Sequence, residues 1–402
     1  MNLGLKSQHK MNASPWKEWI PGALNNRQLK QLIDGRFIKN AVGCGIDYSS
    51  FDLRLDRDVY EMVEGSVKPH GGGYEQFLKT QKRYAKKVRW EQNGEIILKP
   101  AKTYVFKLKE QLSLELRGSP IHGQATAKSS VGRMDMLARL IVDGMHSYEG
   151  FDGKMLNRGN GSMFLEVTSM TFRVRLKPGI SLSQLRLFYG KPEESEIKGE
   201  ELYQAVMGRN DHKKVDEFLR VDVSNITFKA KKAAAFKAKN DTEIPVKLWA
   251  KGAGGKQLKK AQPAAYWDLE NSVNNRFRIK ANSFYILRSK EKIILRRGVC
   301  VYCRAIDETI GEMRIHYAGF VHPYFGYHII GRKIVAKGTP LIFEVRGHDV
   351  NVVLNDDEPL ARLQFYRMSE DCAEPPDPKK LSAYHDQILR LSQFFDEWPI
   401  SN

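Results

Sequence analysis

The sequence predicts a mainly β chain, two tandem distorted β-barrels related by internal duplication with a few short helices, and three observations predict it. Apolar residues alternate or run in short β-branched blocks, as in Phe51-Asp52-Leu53-Arg54-Leu55, Tyr104-Val105-Phe106-Lys107-Leu108 and Phe172-Arg173-Val174-Arg175-Leu176, the pattern of half-buried strands. The segment Lys99 to Glu110 can be laid over Lys280 to Glu291 with its tyrosine and its Lys-Glu pair coinciding. Phe164-Leu165-Glu166-Val167 returns as Ile342-Phe343-Glu344-Val345, and the interval to the closing strand, Glu166 to Leu185 or Glu344 to Leu363, is 19 in both. Agreement in order, spacing and hydrophobic character is the signature of a repeat.

Read in order, residues 1–23 are a polar tail and 24–190 the first barrel. Asn26 to Gly35 opens that barrel with helical spacing of apolar residues and a glycine stop. Residues 191–263 read as a basic connector or insertion, rich in alanine, glycine and lysine (Lys229, Lys231, Lys232, Lys237, Lys239, Lys251, Lys256, Lys259, Lys260), with a helical stretch at Glu200 to Met207. The second barrel spans 264–370, and 371–402 form a C-terminal flap in which Leu381 to Phe395 is expected to be helical.

At 402 residues and 42% hydrophobic content the chain can bury two ordinary cores, and no apolar run is long enough to span a bilayer. Four scattered cysteines do not make a disulfide scaffold, and Met1 to Lys10 lacks the features of a secretory signal, so a cytoplasmic location is expected and no membrane partner. A formal charge of +18 favours anionic partners. Nucleic acid is the less favoured of these, because the basic stretch has few interleaved aromatic residues.

Two motifs carry chemistry, one in each half. Lys128-Ser129-Ser130-Val131-Gly132-Arg133 places two hydroxyls and two cations in a short turn, a set suited to phosphate oxygens. His316-Tyr317-Ala318-Gly319-Phe320-Val321-His322-Pro323 is an aromatic and small-residue hairpin suited to a flat base. Each half lacks the other's motif: the slots matching the serine motif read Arg304-Ala305-Ile306-Asp307-Glu308-Thr309, and the slots matching the hairpin contain Ser147-Tyr148-Glu149-Gly150-Phe151-Asp152-Gly153.

These segments, with Glu344-Val345-Arg346 and the weaker Phe284-Tyr285-Ile286-Leu287 and Tyr384-His385-Asp386-Gln387, resemble the fused, double-length bacterial dCTP deaminases of the dUTPase-like superfamily. The resemblance implies a site built between barrels and hydrolytic deamination of dCTP to dUTP and ammonia without a catalytic metal, with Mg2+ accompanying the triphosphate. It implies that Glu344 shuttles the proton, that Ser129 positions the water and stabilises the oxygen forming at C4, and that Arg133 keeps Glu344 ionised. Lys128 and Ser130 are then assigned to the triphosphate. Ala318 and Gly319 let backbone groups approach the base edge, Tyr317 or Phe320 packs on the ring, and Tyr384 and Gln387 belong to a flap over the phosphates. Glu166 is the structural copy of Glu344. Where relatives carry Asp-Pro-Gly, this chain has His322-Pro323-Tyr324, so His322 would meet the deoxyribose hydroxyl and Tyr324 adds bulk at the turn. A dTTP effector and a homo-oligomer are compatible with the resemblance.

Other readings stand beside it. A zinc-dependent deaminase needs His-x-Glu and Pro-Cys-x-x-Cys. The chain offers only Cys300-Val301-Tyr302-Cys303, which reads better as two strand cysteines packed near each other. A dUTP pyrophosphatase, or a bifunctional deaminase and pyrophosphatase, would want an aspartate where His322 stands. A catalytically degenerate nucleotide or nucleic-acid binder is the alternative from a different class.

Overall fold

The computed structural model describes residues 15–158, 161–198, 202, 206, 217–228, 231–240, 242–250, 257–306, 313–315, 319–381 and 387–398. In the front half the long strands are β1 (Phe51–Met62), β2 (Thr103–Leu112), β3 (Ile121–Ala127), β4 (Met136–Val142), β5 (Ser162–Ser169) and β6 (Ser181–Tyr189). In the back half they are β7 (Phe218–Asp222), β8 (Ala235–Ala238), β9 (Phe284–Ile293), β10 (Val299–Ala305), β11 (Phe320–Val321), β12 (Thr339–Gly347) and β13 (Pro359–Arg367). Neighbours run β5-β2-β1-β6-β3 in front and β12-β9-β7-β13-β10 behind. The two orders are the same under the sequence repeat.

Register repeats as well as order. Glu166 lies opposite Val105 and Glu344 opposite Ile286, which are matched positions of the aligned blocks. Leu185 faces Ala125 as Leu363 faces Cys303. Both halves also bury the glutamate of the repeated Lys-Glu pair beneath an arginine of the neighbouring strand. Glu110 accepts from the Arg54 backbone N–H at 2.7 Å and from Arg54 Nε at 2.7 Å. Glu291 accepts from the Arg220 backbone N–H at 2.8 Å and from its guanidinium at 3.1 Å. A one-residue slip would turn either carboxylate to the opposite face.

The opening helix α1 (Asn26–Asp34) forms as expected, capped by Asn25 with a reciprocal bond from Gln28. Two further helices are short, α2 (Tyr74–Thr80) and α3 (Ser129–Gly132). Of the expected helix at Glu200 to Met207, only Leu202 and Val206 lie among the described residues. The expected C-terminal helix is corrected: a short helix, Pro378–Leu381, precedes turns over 387–398, where Leu389, Leu391 and Phe395 enter the front core. Those three spacings do not follow one helical face.

The span 191–263, read as a connector, instead supplies strands. Glu196–Ile197 pairs with β13, β7 and β8 sit within the back sheet, and Val246–Lys247 pairs in parallel with Val174–Leu176 of the front half. Its lysines concealed this. In Lys231-Lys232-Ala233 the two lysines are exposed and the alanine is buried, and Ala234, Ala235 and Phe236 follow it into the interior. One core cluster gathers side chains of both halves, among them Phe172, Phe236, Trp267, Phe284 and Phe395, and a second lies within the back half. The halves therefore share buried apolar surface, which fixes the junction at which the motifs meet.

Candidate active site

The serine motif sits where β3 ends. Lys128 is the N-cap of α3, Ser129 is exposed at its first position, and Val131, Gly132 and Arg133 are buried. Residue Glu344 comes from the middle of β12, with Phe343 and Val345 turned into the back core, as strand alternation requires. The two motifs meet within one chain: Arg133 Nε lies 3.7 Å from Glu344 Oε1. They line a pocket of about 70 Å³ together with Gly319, Phe320, Cys303 and Gln387. A cleft of about 290 Å³ adjoins it, sharing Lys128 and Phe325 and lined by Asp47, Asp52 and His322.

Gln387 is buried, accepting from the Arg133 guanidinium at 3.2 Å and donating to the Pro340 carbonyl at 3.0 Å. The tail is tied down again where Ser392 Oγ donates to the Ser130 carbonyl at 2.6 Å. Lys128 Nζ is held by both Asp52 oxygens at 2.6 and 2.8 Å. At Gly319 an added Cβ would meet nothing within 4 Å among the described residues. Tyr317, Ala318 and Tyr384 lie outside the described residues.

Two opposed influences meet at Glu344. Burial pushes its carboxyl up to about 8, and Arg133 only partly opposes this. A single contact at 3.7 Å does not offset full desolvation, and the guanidinium is shared with Gln387 and the Arg390 carbonyl. Burial therefore favours the protonated carboxyl over the carboxylate at Glu344. Its repeat partner Glu166 is built differently. Arg139 grips Glu166 Oε1, and Tyr148, from the segment that stands in the hairpin's place, donates to Oε2 at 3.1 Å. The same strand position thus holds a poised carboxyl in one half and a locked ion pair in the other.

Two departures at the hairpin have a structural account. His322 is buried with Nδ1 at 2.9 Å from Ser49 Oγ and Nε2 at 3.8 Å from Asp47. Tyr324 keeps φ at 66°, the left-handed conformation that glycine adopts without strain, while its buried ring packs on Tyr48 and Tyr327 and its hydroxyl reaches the Ala373 carbonyl at 3.0 Å. Cys300 and Cys303 do not pack together: three residues apart on β10, they face opposite sides, Cys300 in a core cluster with Tyr324 and Tyr366, and Cys303 on the pocket. Among the described residues no three His, Cys, Asp or Glu side chains converge as a metal site would require.

Sequence reasoning missed Asp52, which neutralises Lys128, and the pair Asp135–Arg346. Asp135 is fully buried, with φ at 52°, and accepts from Arg346 at 2.5 Å and from Thr171. Arg346 stands two residues beyond Glu344 and Asp135 two beyond Arg133, so this ion pair locks the halves beside the Arg133–Glu344 contact. Asp135 lies just past the serine motif and Arg346 within Glu344-Val345-Arg346, and no local pattern pairs positions 211 apart.

Residues 20–191 match the N-terminal domain, and residues 193–395 the C-terminal domain, of 2'-deoxycytidine 5'-triphosphate deaminase. No curated protein sequence matches the chain. Among solved structures it is similar to the 2'-deoxycytidine 5'-triphosphate deaminase of Agrobacterium tumefaciens, with a TM-score of 0.73 and 23% identity over 88% of this chain and 97% of that one. That likeness bears on the fold, and the described residues contain no helix long and apolar enough to cross a membrane. With the two domain matches together covering most of its length, the chain belongs to the 2'-deoxycytidine 5'-triphosphate deaminase family in a double-length form.

Proposed function

We propose that the chain hydrolyses dCTP to dUTP and ammonia at the junction of its two halves, with Glu344 as the proton shuttle. The observation that carries this reading is a buried carboxyl held near 8 beside Arg133, in a pocket bounded by the serine motif of one half and the hairpin of the other. A carboxyl that titrates near the working pH can both accept a proton from water and return it to the departing nitrogen. Exposed Ser129 orients the attacking water and supports the oxygen that forms at C4. Arg133 stabilises the carboxylate once the proton has left. Lys128 and Ser130 meet the triphosphate, which arrives with its Mg2+, and Lys128 must exchange some of its contact with Asp52 for phosphate oxygens. Gln387 brings the C-terminal flap onto Arg133. His322 takes the place of the carboxylate that relatives offer the sugar. The protein acts on free nucleotide in the cytoplasm.

Incubation with dCTP, CTP and dUTP, followed by chromatographic separation of products and an ammonia assay, tests this. Release of dUTP and one equivalent of ammonia from dCTP is expected. Formation of dUMP and pyrophosphate in place of dUTP, or no turnover of dCTP, would reject it.

A further inference from the structure

Arg186, in the middle of β6, is fully buried. Its guanidinium donates to the Val301 carbonyl at 3.1 Å, the Val321 carbonyl at 3.4 Å and Ser49 Oγ at 3.3 Å, and stacks on the Phe320 ring at 4.0 Å from its centroid. Among the described residues no carboxylate is an electrostatic neighbour of Arg186, and its buried Nε meets no hydrogen-bond partner. A buried guanidinium without a counter-ion is unfavourable, and an apolar side chain of similar volume would pack there without that desolvation.

What this arginine touches is specific. Val301 and Val321 are facing residues of β10 and β11, and β11 lies between Gly319 of the base pocket and His322. Ser49 Oγ accepts from Arg186 and shares a second hydrogen bond with His322 Nδ1, 2.9 Å away, whose direction the histidine tautomer sets. One front-half side chain therefore holds the ring and backbone of Phe320–Val321 and, through Ser49, the histidine that follows. The repeat supplies an internal control. At the same interval that relates Glu166 to Glu344, Arg186 corresponds to Gln364, whose amide oxygen accepts from Arg304 and Tyr366, each at 3.4 Å. The arginine stands only at the junction that has a base-binding hairpin.

We infer that Arg186 is a positioning residue of the nucleotide site, seating Phe320 under the base and orienting His322 toward the sugar. The kinetic arm of the test rests on the deaminase reading, and the binding arm does not. Arg186→Met lowers kcat on dCTP by about 100-fold, the cost of a misplacement near 1 Å, while the pH midpoint set by Glu344 stays where it is. Arg186→Lys, which keeps the charge without the planar fork, recovers only part of that loss. Ser49→Ala removes the link to His322 while Arg186 keeps the Val301 and Val321 carbonyls and the Phe320 ring, so its preference for dCTP over CTP falls about tenfold while kcat falls less than in Arg186→Met. The same preference is read calorimetrically by titrating dCTP and CTP into Glu344→Gln and Glu344→Gln/Arg186→Lys proteins, where no turnover is needed. A folded Arg186→Lys protein with wild-type kcat and wild-type sugar preference would overturn the inference, as would an unchanged calorimetric preference. Wild-type protein that binds dCTP selectively but releases no ammonia would reject the deaminase reading and leave the binding arm decisive.

Discussion

Glu344 Oε1 lies 3.7 Å from Arg133 Nε, and the two residues reach each other from opposite halves of a duplicated chain. Since burial still outweighs this cation and pushes the carboxyl up to about 8, activity depends on pH. The base must be ionised to accept a proton from water, so kcat/KM on dCTP should rise from pH 6 through a midpoint of about 8 and level off above about pH 9. A flat profile from pH 6 to 9 would contradict it.

The same shift has a thermodynamic sign. Between the ordinary value of 4.5 and about 8 the folded state keeps a proton on Glu344 that the unfolded state has lost. Stability therefore falls as pH rises through that window, by about 1.4 kcal/mol per pH unit from this group, and is independent of it below and above. Glu344→Gln removes the titration. Its unfolding free energy relative to wild type should climb from pH 5 to pH 8 by a few kcal/mol, read by denaturant unfolding at each pH, while its turnover is abolished.

Gly132 faces the carboxyl it helps to expose. A Cβ there would lie 3.4 Å from Glu344 Cδ and 3.5 Å from Oε2, ordinary contact that needs no rearrangement. Gly132→Ala should fold normally and gain up to about 1 kcal/mol from helix propensity in α3. Its methyl covers the carboxylate where water must approach, so kcat should drop by about tenfold or more. Stability and activity then move in opposite directions, which thermal melts and initial rates on one preparation would show.

Glu166 supplies the contrast. Held by Arg139 and Tyr148, it has structural partners that a neutral amide cannot fully replace. Glu166→Gln should leave the kcat of soluble protein within about twofold of wild type. Breaking a nearly buried ion pair from one side costs about 3 kcal/mol, visible as an earlier urea midpoint. Equal loss of turnover from Glu166→Gln and Glu344→Gln would mean two working sites.

Much of this was legible in the sequence because the repeat left paired marks. The 19-residue interval after Glu166 and Glu344 reappears as matched register, and the two Lys-Glu pairs reappear as matched buried ion pairs on Arg54 and Arg220. Strand alternation sufficed for these. The Lys231–Ala238 segment was misread because alanine marks the inward face of a strand far more weakly than valine or isoleucine. Asp52 on Lys128, Asp135 on Arg346 and Ser49 on His322 join residues 76, 211 and 273 positions apart. No local pattern announces such pairs, since the fold alone brings them together. The balance at Glu344 was legible only in part: sequence points to a closed site and a neighbouring arginine, but not to how far burial outweighs the cation.

Tyr324 sets two effects against each other that magnitudes can decide. Its φ of 66° costs a non-glycine residue roughly 1–2 kcal/mol. Its ring, 4% exposed between Tyr48 and Tyr327, and its hydroxyl bond to Ala373 contribute more, since removing a buried aromatic side chain costs about 3–5 kcal/mol. Tyr324→Gly should therefore relieve the strain and still lose a net ~2 kcal/mol, with the turn before Phe325 and Gly326 keeping its path. Tyr324→Phe keeps the ring and the strain and loses only the hydroxyl bond, so it should lose no more than about 1–1.5 kcal/mol. If the glycine variant proved the more stable of the two in urea unfolding, backbone strain rather than ring burial would govern this turn.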